Sequence, residues 1–233
     1  PGSGPTGLRG PTATMKLKYA GLTHVGMKRT HNEDNLALLP EESLYIVADG
    51  MGGHAAGEVA SGIAVDTIHE ILLGAQDPEE TVLATNSPQD RSDELRERLR
   101  YAMNQSSVRI RREIERRPSC AGMGTTLVVV VVESDQAHLA HVGDSRAYLF
   151  RNERLMRLTR DHTVVQQEVD AGRLSPELAR IVPHKNILTK SVGFHGPVDP
   201  DTSTRAIEPG DVFLLCSDGL TDPIDDKEIE DYC

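Results

Sequence analysis

A short acidic-glycine motif recurs three times along the chain: Asp49-Gly50-Met51-Gly52-Gly53-His54, Gly143-Asp144-Ser145-Arg146 and Ser217-Asp218-Gly219-Leu220-Thr221-Asp222. Two of the three close an apolar run of strand character, Leu44 to Ala48 before Asp49 and Val212 to Ser217 before Asp218. The other follows Ala140-His141-Val142. A strand that leaves a core on an aspartate holds that carboxylate rigidly. Several such ends converging make an oxygen-lined nest for hard divalent cations, Mg²⁺ or Mn²⁺. That convergence is the main constraint on the fold.

With 233 residues the chain suffices for one large domain or two small ones, either with a real core. Its 36 acidic against 25 basic residues, net −11, argue against nonspecific binding to nucleic acid or an anionic membrane. The three cysteines, Cys120, Cys216 and Cys233, have no metal-type spacing and read as reduced thiols of a cytoplasmic protein, with Cys216 inside an apolar run. No segment approaches the roughly 20 apolar residues of a membrane span. Pro1 to Thr14, rich in Gly, Pro and Thr, reads as a disordered tail or cloning scar before a natural start at Met15.

Periodicity places strands at Leu17 to Val25, Leu36 to Leu39 and Leu44 to Ala48, the last two joined as a hairpin across Pro40 to Ser43. Val59, Ile63, Ile68, Ile71 and Leu72 recur at helical spacing and predict a helix over Glu58 to Leu73. Gly74 to Asp90 reads as a loop, and Ser92 to Arg117 as a second helix ended by Pro118. Strands follow at Thr125 to Glu133, Ala137 to Val142, Ala147 to Arg151, Leu155 to Leu158 and Val212 to Ser217. The β-branched run Leu127 to Val132 suits a buried central strand. Thr159 to Gly193 breaks the rhythm with two short helical patterns and suggests an excursion or lid. Two amphipathic helices between runs of hairpin strands give an α+β layered sandwich.

Arg29-Thr30-His31-Asn32-Glu33-Asp34 sets a guanidinium, suited to bidentate phosphate capture, near two adjacent carboxylates. Gly50 lets the backbone carbonyl after Asp49 approach a cation. Two divalent ions about 3.5–4 Å apart, bridged by a carboxylate, can bind a phosphoryl oxygen and ionise a shared water.

The ordered set Arg-x-x-Asn-Glu-Asp, Asp-Gly-Met-Gly-Gly-His, Gly-Met-Gly-Thr-Thr (Gly122 to Thr126), Gly-Asp-Ser-Arg-Ala-Tyr, Asp-His-Thr (Asp161 to Thr163) and Ser-Asp-Gly-Leu-Thr-Asp resembles the metal-dependent protein phosphatases of type 2C, in their bacterial form. The resemblance runs from Leu17 to the end and implies one catalytic domain over 15–233, with a flap at about 159–193. It implies a four-layer α-β-β-α sandwich of two antiparallel sheets flanked by helices. The implied reaction is hydrolysis of phosphoserine and phosphothreonine by a metal-activated water in one in-line step. The cofactors would be two core Mn²⁺ or Mg²⁺ ions and a third, weaker one. Asp49 would bridge the core ions, with the Gly50 carbonyl on one of them, Asp218 on the other, and Glu33 and Asp34 binding directly or through water. Asp144 and Asp222 match the third-ion positions. Arg29 matches the grip on the substrate phosphate. Asp49, Asp34 and His54 are then the residues set at the reaction, His54 as a candidate proton donor. Implied partners are phosphoproteins, among them Ser/Thr kinases and their substrates.

Two departures stand out. Met51 occupies a position where some members carry His, and an ion-bound water is the rival acid. The family's terminal strand with its Asp-Asn pair has no counterpart before Cys233, so the expectation is a sheet short of a strand and a weakened first ion site. The alternatives are a weakly catalytic binding domain of the same fold and a hydrolase of small phosphate esters.

Overall fold

A computed structural model describes residues 16–53, 56–74, 88–194 and 196–233, without the side chains of 88 and 89. The predicted tail at 1–14, His54 and most of the predicted loop 74–90 lie outside these residues. The predicted hairpin forms from Asp34–Leu39 (β1) and Leu44–Met51 (β2), and the first helix, Ala56–Leu73 (α1), follows. Pro88–Arg116 (α2) takes in the end of the predicted loop. Gly124–Thr125 (β3), Leu127–Glu133 (β4), Gln136–Val142 (β5), Arg146–Arg151 (β6) and Arg154–Arg157 (β7) follow the sequence reading closely. The excursion carries Val164–Asp170 (α3) and Pro176–Ala179 (α4). Asp201–Ala206 (β8), Val212–Cys216 (β9), Asp218–Thr221 (α5) and Asp226–Tyr232 (α6) complete the order.

Every strand pair is antiparallel. One sheet runs β1-β2-β4-β5-β8 with β3 beside β2, and the other runs β7-β6-β9. The strand β4 explains its own sequence. Leu127 and Val129 face α1 and α2 with Leu44, Ile46, Leu99 and Met103. Val128 and Val130 face the second sheet with Leu139, Ala147 and Phe213. Burial on both faces requires an unbroken apolar run, not an alternating one. Tyr148 points away from that inter-sheet core and donates a hydrogen bond to Asp226 on α6, 2.9 Å, so α6 begins the fourth layer. Its start is fixed by a reciprocal cap in which Asp225 accepts from the Glu228 amide and Glu228 from the Asp225 amide, both 2.9 Å.

Two local expectations differ. Residues 17–25 form no strand. They pack by side chains instead, with Tyr19 and Tyr45 ring centroids 6.5 Å apart, and make no backbone ladder with β1. Conversely, β8 is a strand the sequence hid, because DTSTRA carries no apolar alternation. It lies at a sheet edge under α2, where polar partners replace hydrophobic ones: Arg100 Nη2 donates to Thr202 Oγ1 at 3.1 Å.

The C-terminal base of the excursion is nailed to α2. Gly193 has φ +96°, and a Cβ there would come 2.3 Å from Ile110 Cγ2. Left-handed strain and overpacking combine, so Gly193→Ala is expected to cost at least about 2 kcal/mol. Urea unfolding with an unchanged midpoint would contradict this anchoring.

Candidate metal centre

Asp34 opens β1 directly opposite Asp49 on β2, in register across the antiparallel pair. The Asp49 backbone is locked from three sides. Its amide donates to Thr126 Oγ1 at 3.0 Å, and its carbonyl accepts from the Thr126 amide and the Thr125 hydroxyl, each at 2.9 Å. Thr126 Oγ1 in turn lies 2.7 Å from Ser145 Oγ. The Gly-Met-Gly-Thr-Thr and Gly-Asp-Ser-Arg segments thus brace the first aspartate motif. From β9, Ser217 Oγ donates to Asp34 Oδ2 at 2.9 Å and ties in the last motif.

Glycine here makes room. The Gly50 amide donates to the Glu33 carbonyl at 3.1 Å, and a Cβ on Gly50 would fall 2.1 Å from the Gly57 carbonyl oxygen. A Cβ on Gly57 would fall 2.4 Å from Glu33 Oε1. Among the described residues, that buried oxygen has no hydrogen-bond partner, and an orphaned carboxylate oxygen in such a cradle suits a cation. The small residues Ala56, Gly57, Ala60, Ser61 and Ala64 on α1 permit the close approach, and Ser61 Oγ donates to the Glu33 carbonyl at 2.7 Å.

The electrostatics are those of acids short of positive charge. Burial pushes Asp49 up to about 9, with Asp34, Asp218 and Asp144 adding to the rise. In its protonated form Asp49 donates to Asp218, which is itself raised by burial and by Asp222. Asp144 is pushed up to about 7 by burial and then by Asp218 and Asp161, against the pull of Arg146. Carboxylates so placed ionise together only beside a cation. Hard oxygen donors suit Mg²⁺ or Mn²⁺ better than a thiophilic metal.

Asp144, Asp218 and Asp222 line a cleft of about 470 Å³ whose other wall is the excursion, including Val165, Ala179 and Lys185. Asp222 is held by Lys185 Nζ at 2.6 Å. Arg29 is largely exposed and reaches Glu33 Oε2 at 3.3 Å. Arg146 pairs with Asp161 through two donors, at 2.8 Å from Nη2 and 3.1 Å from Nε, and also lies 3.7 Å from Asp226. Its ion-pair partners are therefore on the flap base and α6. The structure places Glu33, Asp34, Asp49, Gly50, Asp144, Asp218 and Asp222 at one end of the sandwich. His54 falls outside the described residues.

Among the described residues, one His/Cys/Asp/Glu group has its ligand atoms within 4.8 Å of one another, and it is His141, His162 and Asp201. The sequence reading missed it, since the three come from β5, the flap base and β8. Its hydrogen bonds speak against a metal. His162 Nδ1 accepts from the Gly143 amide at 3.1 Å, so the neutral ring carries its hydrogen on Nε2, the nitrogen 3.3 Å from Asp201 Oδ1. The stacked imidazoles, 4.8 Å apart, serve as packing that joins the flap base to the Asp144 turn.

The architecture is thus a two-sheet antiparallel sandwich with a buried carboxylate nest at one end. The protein phosphatase 2C family model matches residues 21–232, and the chain belongs to that family. It is 37% identical over 216 residues to the serine/threonine protein phosphatase PstP of Mycobacterium tuberculosis, covering 93% of this chain and 38% of that protein. It is 38% identical over 218 residues to protein phosphatase PhpP of Streptococcus pneumoniae, covering 92% of this chain and 83% of that one. The crystal structure of M. tuberculosis PstP superposes with a TM-score of 0.76 at 35% identity, over 89% of this chain and 81% of that one. The PstP catalytic domain in complex with two manganese ions gives a TM-score of 0.71 at 34% identity, over 89% and 80%. The chain thus spans well under half of the full mycobacterial relative.

The raised acids make stability depend on pH. Folded Asp49 and Asp144 keep protons that the unfolded chain releases near the ordinary value of 3.8. The folded state binds more protons between that value and about 7 to 9, so stability falls as pH rises through this window. In EDTA the melting temperature is expected to drop from about pH 5 to about pH 8. A flat or rising profile would contradict the burial of these acids.

Proposed function

We propose that the chain hydrolyses phosphoserine and phosphothreonine in proteins, with Mn²⁺ or Mg²⁺ as cofactor. The observation that carries this reading is the buried, all-oxygen nest around Asp49, whose raised acids and orphaned Glu33 oxygen fit divalent cations. The manganese-bound PstP relative supports the same assignment. Asp49, the Gly50 carbonyl, Glu33, Asp34 and Asp218 would hold the core ions, and Asp144 and Asp222 a weaker third. Bound there, such ions supply Lewis-acid polarisation of the phosphate and a water ionised near neutral pH.

The protein's own groups do the rest. The Asp34 carboxylate, held by the Ser217 hydroxyl, would orient the attacking water and take its proton. Arg29 must exchange its Glu33 contact for the substrate phosphate, and its exposed side chain is free to swing. A guanidinium fork offers that phosphate two parallel donors and fixes its orientation for in-line attack. His54 remains the candidate that returns a proton to the leaving alkoxide. Glu33, Asp34, Asp49, Asp218 and Arg29 together speak against a domain that only binds.

Phosphoproteins are the substrates on this reading, Ser/Thr kinases and their targets among them. Among the described residues no helix is long and apolar enough to cross a membrane. A cytoplasmic setting suits the free thiols of Cys120, Cys216 and Cys233.

The test is turnover of phosphothreonine peptides and p-nitrophenyl phosphate with Mn²⁺, then with EDTA. Activity on the peptides, lost in EDTA and reduced at least about a hundredfold by Asp49→Ala, is expected. Turnover confined to small esters, or indifferent to EDTA, would overturn the reading. Arg29→Ala is expected to raise KM about tenfold with a smaller change in kcat, the mark of lost phosphate binding. An unchanged KM would remove Arg29 from that role.

A further inference from the structure

Lys185 projects from the excursion after α4, and its Nζ stands 2.6 Å from Asp222 Oδ1 at the end of α5. A second cation of the same segment crosses the same gap: Arg180 Nη2 donates to the Ile224 carbonyl at 3.2 Å. Both side chains line the cleft that contains Asp144 and Asp218. The excursion is thus strapped across the acidic end by two cationic arms. Only one of them ends on a carboxylate that the reading above gives to a cation.

That pairing has a direct electrostatic meaning. Asp222 repels Asp218 and helps to raise it, so a positive charge beside Asp222 relieves the crowding. An ammonium is a compact point charge on a flexible stem, and here it stands 2.6 Å from Asp222 Oδ1. A divalent ion on the same carboxylate would repel that ammonium, so each weakens the other's hold.

We infer that Lys185 is a tethered cation that guards Asp222. It holds the flap shut over the cleft while Asp222 has no ion, and it releases the carboxylate, and with it the flap, when a divalent ion binds. This rests on the metal reading above. The side chains of Lys185 and Asp222 are 29% and 40% exposed, which makes the pair a weak latch, able to shift an equilibrium by up to roughly fivefold. Weakness suits it to reversible exchange, and linkage makes the effect mutual: flap closure weakens the ion by the factor by which the ion opens the flap.

The experiment is Mn²⁺ titration calorimetry on the wild-type chain, Lys185→Gln and Lys185→Arg, with hydrogen exchange followed over residues 176–187. Wild type is expected to bind Mn²⁺ at the core acids and, in a separate weaker step lost in Asp222→Asn, at one further site. Lys185→Gln should tighten the weak step by up to roughly fivefold, whereas Lys185→Arg stays near wild type. In metal-free protein, flap exchange should be faster in Lys185→Gln than in wild type. Filling the weak site should speed exchange in wild type and leave Lys185→Gln unchanged. Asp222→Asn should free the metal-free flap as Lys185→Gln does, by a change on the opposite side of the latch. Core binding with an identical weak step in wild type and Lys185→Gln would overturn the Lys185 inference alone. Absence of Mn²⁺ binding in wild type would overturn the metal reading and this inference with it.

Discussion

Asp34 and Asp49 face one another across an antiparallel ladder, with Asp218 hydrogen-bonded to Asp49 and Asp144 close enough to raise it. Burying like charges together is costly, and the cost falls only if the acids are neutralised or a cation joins them. The surrounding architecture is arranged to hold them there regardless. Thr125, Thr126 and Ser145 fix the Asp49 backbone, and Ser217 fixes Asp34. Hydroxyl groups serve well here, because each can donate or accept without adding charge to a crowded site.

The same requirement reaches into the packing. Glu33 meets Gly50 and Gly57 at distances that leave no space for a side chain, so α1 must present small residues toward β1 and β2. It then buries little apolar area of its own in that stretch. Stability is recovered elsewhere, where Ile68, Leu99, Met103 and Ile110 close over Leu127 and Val129. One end of the helical layer is thin to admit the acidic nest, and the other is thick to hold it in place.

How much of this was legible follows from range. The strand-then-aspartate pattern, the β4 run and the two amphipathic helices are local, and the structure follows them with boundary shifts of a few residues. Edge pairing is not local. Residues 17–25 look like a strand yet lack a ladder, and 201–206 look like a loop yet pair with β5, because hydrogen-bonding partners decide both. Side-chain pairings across long loops were equally hidden: Arg146 with Asp161 and Lys185 with Asp222 join segments whose proximity only the fold creates. The carboxylates announced themselves by motif, whereas their counter-charges did not.

Those counter-charges divide into two kinds, and the division is physically necessary. Arg146 and Arg157 both pair with Asp161, and Arg146 also donates to the Tyr148 hydroxyl at 3.1 Å. Such arginines are committed to joining β6, β7, the flap base and α6. The cations at the nest itself are different. Among the described residues, Arg29 and Lys185 each touch one carboxylate, from the end of a flexible and partly exposed side chain. A locked, bidentate arginine beside Glu33 or Asp222 would neutralise the nest permanently and bar a divalent ion. Loosely held cations quiet the repulsion, and on the proposed reading they would yield their places to an ion and a phosphate at small cost.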